Sequence, residues 1–282
     1  MKVKIVTDST SDIPAPVAAA LDITVVPAYS RFGEQSYRDG IDISKDAFYQ
    51  RLRTDPVHPN SSQPSPQDFI SSYRSLEAPD GILSIHISSR LSGTCNSALI
   101  AAGSLLPEGC KIQVVDSLSV TMGHGLMVIE AARLAQAGMG LAELTEKTKA
   151  MVPHIHFLGF FDTLEYLARG GRIGKAKALM GSLLTVKPLL TMKDGELVPI
   201  GQVRSRGKAI DRLYEFVSRT NNIQELSIIH STTYEEARAL AERLGGIVPA
   251  EKIIIAQLGA ALGVHGGPGI LFAAVRTGAV PA

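Results

Sequence analysis

A chain of 282 residues carries an expectation of about two domains, at roughly 150 residues each. Its composition of 45% hydrophobic and 20% charged residues supplies apolar material for packed cores, which excludes a disordered tail or a disulfide-stapled mini-protein. Twenty-eight Lys and Arg against 27 Asp and Glu give a net charge of +1, so no basic field exists to hold a polyphosphate backbone and nucleic acid is not an expected partner.

The amino terminus, MKVKIVTDST, runs from a strand-like segment directly into polar residues and lacks the roughly 7–15-residue apolar core of a signal peptide. Val3–Val6 leads into Thr7-Asp8-Ser9-Thr10-Ser11-Asp12 and a helix over about Pro14–Leu21. Four prolines between Asp55 and Pro66 forbid a helix interior and hold the residues before them extended. That segment reads as a rigid connection, equally as a device that delivers Ser61 and Ser62 to a site. Ile82–Ile87 leads into Ser88-Ser89-Arg90-Leu91-Ser92-Gly93-Thr94 and a helix through about Ala102; Lys111–Val115 leads into Asp116-Ser117 and a helix from Val120 to Ala137. Short apolar runs alternating with helices predict βαβ units and a mostly parallel sheet. The three hydroxyl clusters then follow the carboxyl ends of strands, where they either cap helices or rim a ligand site.

The pattern changes near residue 152, and residues 1–152 and 153–282 read as an N-terminal α/β domain and a C-terminal α+β domain with a mixed sheet. Strand Ile155–Phe161 precedes a helix around Leu164–Ala168, and Thr185–Met192 with Glu196–Val203 flanks Lys193-Asp194-Gly195, a hairpin signal. A helix over Arg206–Arg219, strand Leu226–His230, helix Tyr234–Leu244 and strands Lys252–Gln257 and Ile270–Val275 complete the reading. Ile253–Val275 lacks Asp, Glu, Lys and Arg and is long enough to cross a bilayer. It also holds Gln257, His265, Pro268 and five glycines, so it reads as two buried strands around a glycine-rich loop, with no membrane insertion. Cys95 and Cys110 form no CxxC or zinc spacing, which fits a reducing cytoplasm and argues against a metal or redox motif.

Several chemistries lack their signatures. Gly174-Lys175 is followed by Ala176, and position 169 is Arg where a P-loop needs glycine; no G-x-G-x-x-G, HExxH or G-x-S-x-G occurs either. A phosphotransferase acting alone is therefore disfavoured. The segments that do stand out are the Ser88–Thr94 turn, Leu164-Glu165-Tyr166-Leu167-Ala168-Arg169-Gly170-Gly171-Arg172-Ile173, and the run from Gly259 through His265 to Gly269. Taken with Thr7–Thr10 and Ser62-Gln63-Pro64-Ser65, these five segments, in their order along the chain, resemble the DegV family of bacterial fatty-acid-binding proteins from Asp8 to Gly269.

The resemblance implies a two-domain α/β protein that holds a long-chain fatty acid in a tunnel between its domains. It further implies that the acid's carboxylate is presented to a separate kinase catalytic subunit, which converts it to an acyl-phosphate for phospholipid synthesis. On that reading the chain has no cofactor and no catalysis of its own. The family's carboxylate-contacting hydroxyls map onto Ser61 and Ser92, with Ser62, Gly93 and Thr94 beside them; its histidine maps onto His265, followed by Gly266. Ser61 stands where many relatives have Thr, which keeps the hydroxyl and dispenses with the threonine methyl group. The arginine of the RGGRI segment maps onto Arg172, and Arg204 is a second candidate for the head group or the partner; Arg169, Arg172, Lys175 and Lys177 form a candidate docking patch.

The residues alone are compatible with this. A fatty carboxylate needs hydroxyl or N–H donors at one end and dry apolar walls elsewhere. Ser92 before a helix N-terminus adds a favourable dipole of roughly 0.3–1 kcal/mol, and His265 among glycines lets backbone approach a ligand closely. Candidate walls are Phe157-Leu158-Gly159-Phe160-Phe161, Ala178-Leu179-Met180, Leu183-Leu184 and Leu271-Phe272. The competing reading is an acyl hydrolase with Ser92 as nucleophile, His265 as base and Asp8 or Asp116 as orienter; it requires hydrogen-bond contact between Ser92 and His265.

Overall fold

The structure, a computed structural model, describes residues 3–179 and 186–278. In chain order the first half contains β1 (Lys4–Asp8), α1 (Ala15–Ala20), β2 (Ile23–Val26), β3 (Tyr29–Phe32), β4 (Gln35–Arg38), α2 (Lys45–Thr54), β5 (Asn60–Ser62) and α3 (Pro66–Arg74). It continues with β6 (Ile82–His86), α4 (Thr94–Leu105), β7 (Ile112–Asp116), α5 (Met122–Gln136) and α6 (Leu141–Met151). The second half contains β8 (Ile155–Phe160), α7 (Glu165–Arg169), β9 (Lys187–Lys193), β10 (Glu196–Val203) and α8 (Arg206–Ser218). After these come β11 (Ile223–His230), α9 (Tyr234–Leu244), β12 (Ile253–Gln257), α10 (Ala260–Gly266) and β13 (Leu271–Thr277).

Three sheets organise these elements. The first, in order β2-β1-β6-β7, is parallel throughout; the second, β10-β9-β8-β13-β11-β12, is mixed, with β11 and β12 its parallel pair; the third is the small antiparallel sheet β4-β3-β5. This is the expected α/β architecture. β1 and β6 are almost wholly buried, as a parallel sheet covered on both faces requires.

The period of two along β8 sorts its side chains onto two faces. Phe157 and Phe161 join Leu83, Ile85, Met122 and Leu126 of the first half in one continuous core. Leu158 and Phe160 pack on the opposite face with Leu213 and Leu240 of α8 and α9. On β13, Phe272 belongs to the first group and Leu271 to the second. Both faces of the larger sheet are therefore dry, and one of them meets the first half of the chain.

The structure differs from the sequence reading in three places. Residues 23–54 and 66–74, for which the sequence pattern predicts no element, form β2, β3, β4, α2 and α3, and α6 adds a further helix. The supposed glycine-rich loop contains α10, a seven-residue helix carrying His265. Of the candidate walls, Leu158, Phe160 and Leu271 face away from the first half, because alternate strand residues cannot share a face. Met180, Leu183 and Leu184, with the proposed strand start at Thr185, lie outside the described residues. No described helix is long and apolar enough to cross a membrane.

Candidate functional site

The parallel register puts the carboxyl ends of β1 and β6 side by side, so the hydroxyl clusters that follow them share one edge. After β1, the Ser9–Ser11 turn is capped by Asp8, which accepts from the Thr10 backbone N–H and the Thr10 hydroxyl. Burial raises the Asp8 pKa, but the His86 hydrogen bond and the His124 and His86 charges outweigh it and hold the group at about 2. His86 Nδ1 lies 2.9 Å from Asp8 and its Nε2 2.7 Å from Ser84, which accepts in turn from Tyr73. This fully buried chain fixes the β1–β6 edge from beneath.

After β6, the Ser88 hydroxyl donates to the Gly195 carbonyl at the β9–β10 turn (2.7 Å), linking the two halves. Ser92 Oγ accepts from the Thr94 N–H (3.3 Å) and pairs with the Thr94 hydroxyl at 2.8 Å. Between them Gly93 packs closely under the Gln63 amide: a Cβ there would lie 2.6 Å from it, so the amide would have to swing aside. Gln63 follows β5, whose Ser61 and Ser62 stand opposite Ser30 and Tyr29 of β3. The proline-rich segment thus ends as a sheet edge, with Ser61 Oγ 2.7 Å from His265 Nε2.

His265 arrives on α10. The helix begins where Asp12 and Asp39 converge: Gly259 N–H donates to Asp12, and the Ala260 and Ala261 N–H groups donate to Asp39. Two carboxyl groups thus satisfy the first donors of the helix. Burial, reinforced by the charges of Arg172 and His58, pushes the His265 pKa down to about 4; at neutral pH the imidazole is uncharged.

Around these groups lies a cavity of about 210 Å³ whose polar wall is Thr10, Ser61, Ser62, Ser92, Thr94, Arg172 and His265. It adjoins a second, apolar pocket of about 50 Å³ reached past Val120, Leu167, Leu197 and Leu262, where Phe157, Phe161, Phe272 and Gly266 form the walls. The structure thus brings Ser61, Ser62, Ser92, Thr94, Arg172 and His265 together, with Gly93 behind the polar wall and Gly266 in the deeper one, whereas Arg204 lines neither cavity. Sequence reasoning missed Leu91, Val120, Leu197 and Leu262, ordinary apolar residues from separate elements with no local signal of their role. The walls supply oxygen-bearing donors and one fixed cation at one end, and hydrocarbon at the other.

The geometry does not support the hydrolase arrangement. Ser92 pairs with Thr94 and His265 with Ser61. Asp8 is engaged by His86 and Thr10, and Asp116 by the backbone N–H groups of Ser89 and Leu118. His265 Nδ1 has no hydrogen-bond partner, so no carboxylate orients the supposed base.

Residues 2–276 match the family model described as "Uncharacterised protein, DegV family". A DegV domain-containing protein of Caldanaerobacter subterraneus subsp. tengcongensis is 35% identical, the match covering 95% of this chain and 96% of that protein. Among solved structures, a DegV family protein from Thermus thermophilus, described by its fatty acid binding, is 36% identical with a TM-score of 0.89, covering 98% of this chain and 100% of that one. Bacillus subtilis DegV, described as a fatty acid binding protein, is 30% identical with a TM-score of 0.88, covering 99% and 100%. By sequence along nearly its whole length, and by fold, the chain belongs to the DegV family.

Proposed function

We propose that this protein binds a long-chain fatty acid in a tunnel between its two halves, residues 1–152 and 153–282, and presents the carboxylate to a separate kinase for acyl-phosphate formation. The observation that carries the reading is the convergence of Ser61, Ser92, Thr94, Arg172 and His265 on the polar wall of a cavity that continues between phenylalanines of β8 and β13. A carboxylate accepts hydrogen bonds and is attracted by the guanidinium, while the tail takes the dry end. At roughly 0.8 kcal/mol per buried CH₂, about 14 methylenes contribute on the order of 10 kcal/mol gross, much of it offset by lost freedom on binding. The described fatty acid binding of the Thermus and Bacillus relatives supports the ligand class.

The kinase step rests on the family resemblance and on the placement of Arg172, which is exposed yet lines the cavity. Arg169 and Lys175 beside it are paired with Glu165 and Glu196, so Arg172 and Lys177 supply the less compensated charge of the docking patch. The chain itself needs no cofactor for this role, and the cytoplasm, where such a kinase would act, is its proposed location. Extracting the purified protein with organic solvent and identifying the released lipid by mass spectrometry tests the binding. Incubating the lipid-loaded protein with a cognate kinase and ATP tests the presentation. Recovery of no fatty acid, together with no uptake of an added one, overturns the reading.

A further inference from the structure

Gly170 caps α7 in an ordinary right-handed conformation, φ −77°. Its N–H donates to the Tyr166 carbonyl and its own carbonyl accepts from Arg172, each at 2.9 Å, so its backbone is fixed. A Cβ at this position would lie 2.0 Å from His265 Nδ1. The glycine Cα–H bond that replaces Cα–Cβ therefore points at Nδ1. That nitrogen is buried without a hydrogen-bond partner, whereas Nε2 faces Ser61 at 2.7 Å.

A neutral imidazole carries one proton, and its two nitrogens are then one donor and one acceptor. A proton on Nδ1 would be driven against the glycine Cα–H and leave a buried donor unmade, which disfavours that tautomer. A bare Nδ1 lone pair instead receives the C–H as a weak polar contact. We propose that Gly170 is a positioning residue: it holds His265 as the Nε2–H tautomer, so that the imidazole donates to Ser61 and Ser61 turns its own proton toward the cavity. The polar wall then offers a donor where the opposite tautomer would offer lone pairs, and it selects ligands with an anionic acceptor head over those with a donor head such as an amine. The ligand consequence rests on the fatty-acid reading above; the tautomer does not.

The test begins with the delipidated wild-type chain at neutral pH, by long-range ¹H–¹⁵N correlation of the histidine side chains. A pyrrole-type Nε2 and a pyridine-type Nδ1 at His265 are expected, and the reverse pattern or a doubly protonated ring overturns the proposal whatever the ligand proves to be. Gly170→Ala, whose backbone conformation is open to alanine, adds the second arm. Binding of a fluorescent fatty acid is expected to weaken about tenfold, the loss of one hydrogen bond to a charged group. The same substitution in a His265→Ala background is expected to change nothing further, since the Cβ then meets empty space. An unchanged affinity in the single variant, or an equal loss in both backgrounds, refutes action through His265. Absence of any fatty-acid binding sinks the functional reading and leaves the tautomer to be decided by the spectrum.

Discussion

His265 is held in the folded protein at a pKa of about 4, through burial and the neighbouring charges of Arg172 and His58, against about 6.5 in an unfolded chain. The unfolded chain therefore takes up a proton that the folded one refuses. Stability is intact above pH 6.5 and falls as the pH drops toward 4, by on the order of 2 kcal/mol at pH 5. His265→Gln removes that acid-side loss, which urea unfolding of both proteins at pH 7 and pH 5 measures; equal slopes would show that the histidine titrates freely. Ser92→Ala tests the opposite side of the polar wall. It removes a hydroxyl shared with Thr94 and is expected to weaken fatty-acid binding about tenfold without releasing the tail, read by competition with a fluorescent acid; an unchanged affinity would remove Ser92 from the site. Side chains of this kind were legible in the sequence because hydroxyls after strands and a histidine among glycines are unusual company. Leu197 and Val120 were not, because an apolar residue lining a cavity and one filling a core are the same letter, and only the packing separates them.

At the scale of elements, α10 shows where sequence reading stopped. Its sequence AALGVHG holds two glycines, each costing about 1 kcal/mol relative to alanine in a helix, and propensity alone favours a loop. Asp12 and Asp39 supply what propensity lacks by binding the first N–H groups. Gly263 is required at its place because a Cβ would lie 2.5 Å from the Phe48 ring of α2. β5 is a similar case: Asn60-Ser61-Ser62 has little strand preference and is extended because the prolines and its pairing with β3 make it so. The strongly periodic α8 and α9, by contrast, fall within a residue of their predicted bounds.

The same α10 junction has its own pH response. Burial pushes Asp12 up to about 7, against Lys45 and the Thr121 hydrogen bond and with added repulsion from Asp39; Tyr49 also faces the pair. Here the folded state keeps a proton that the unfolded chain releases, so this contribution is complete below about pH 4 and is lost as the pH rises to 7. Between pH 4 and 6.5 it opposes the His265 slope, so the wild-type curve is flatter than either group alone would make it. Asp12→Asn, which keeps an acceptor for Gly259 and a partner for Thr121, is expected to gain relative stability from pH 5 to pH 8. Denaturant midpoints of both proteins at the two values check this, and a constant difference would show that Asp12 is ionised throughout.

For the whole molecule, the alternating apolar runs announced the parallel and the mixed sheet, whose strands end at Asp116 and begin at Ile155 respectively. Their meeting was not legible, since it depends on which face of β8 and β13 turns inward and on which residues leave space rather than fill it. Gly159 is such a residue. It stands opposite Phe272 in the β8–β13 pairing, and a Cβ on it would lie 2.0 Å from that ring. Phe272 also packs edge-on against Phe157 at 5.1 Å and lines the apolar pocket, so a methyl group at position 159 displaces a ring that borders the space assigned to the tail. Overpacking of this kind typically costs about 1–3 kcal/mol, and the displaced ring occupies volume that several methylenes would otherwise use. Gly159→Ala is therefore expected to shift the lipids recovered by solvent extraction toward shorter chains and to lower total occupancy, while Ser92→Ala, at a residue that lines only the polar cavity, keeps its effect. An unaltered chain-length profile would mean that the tail runs elsewhere, and the pocket between β8, β13 and α10 would then be packing space alone.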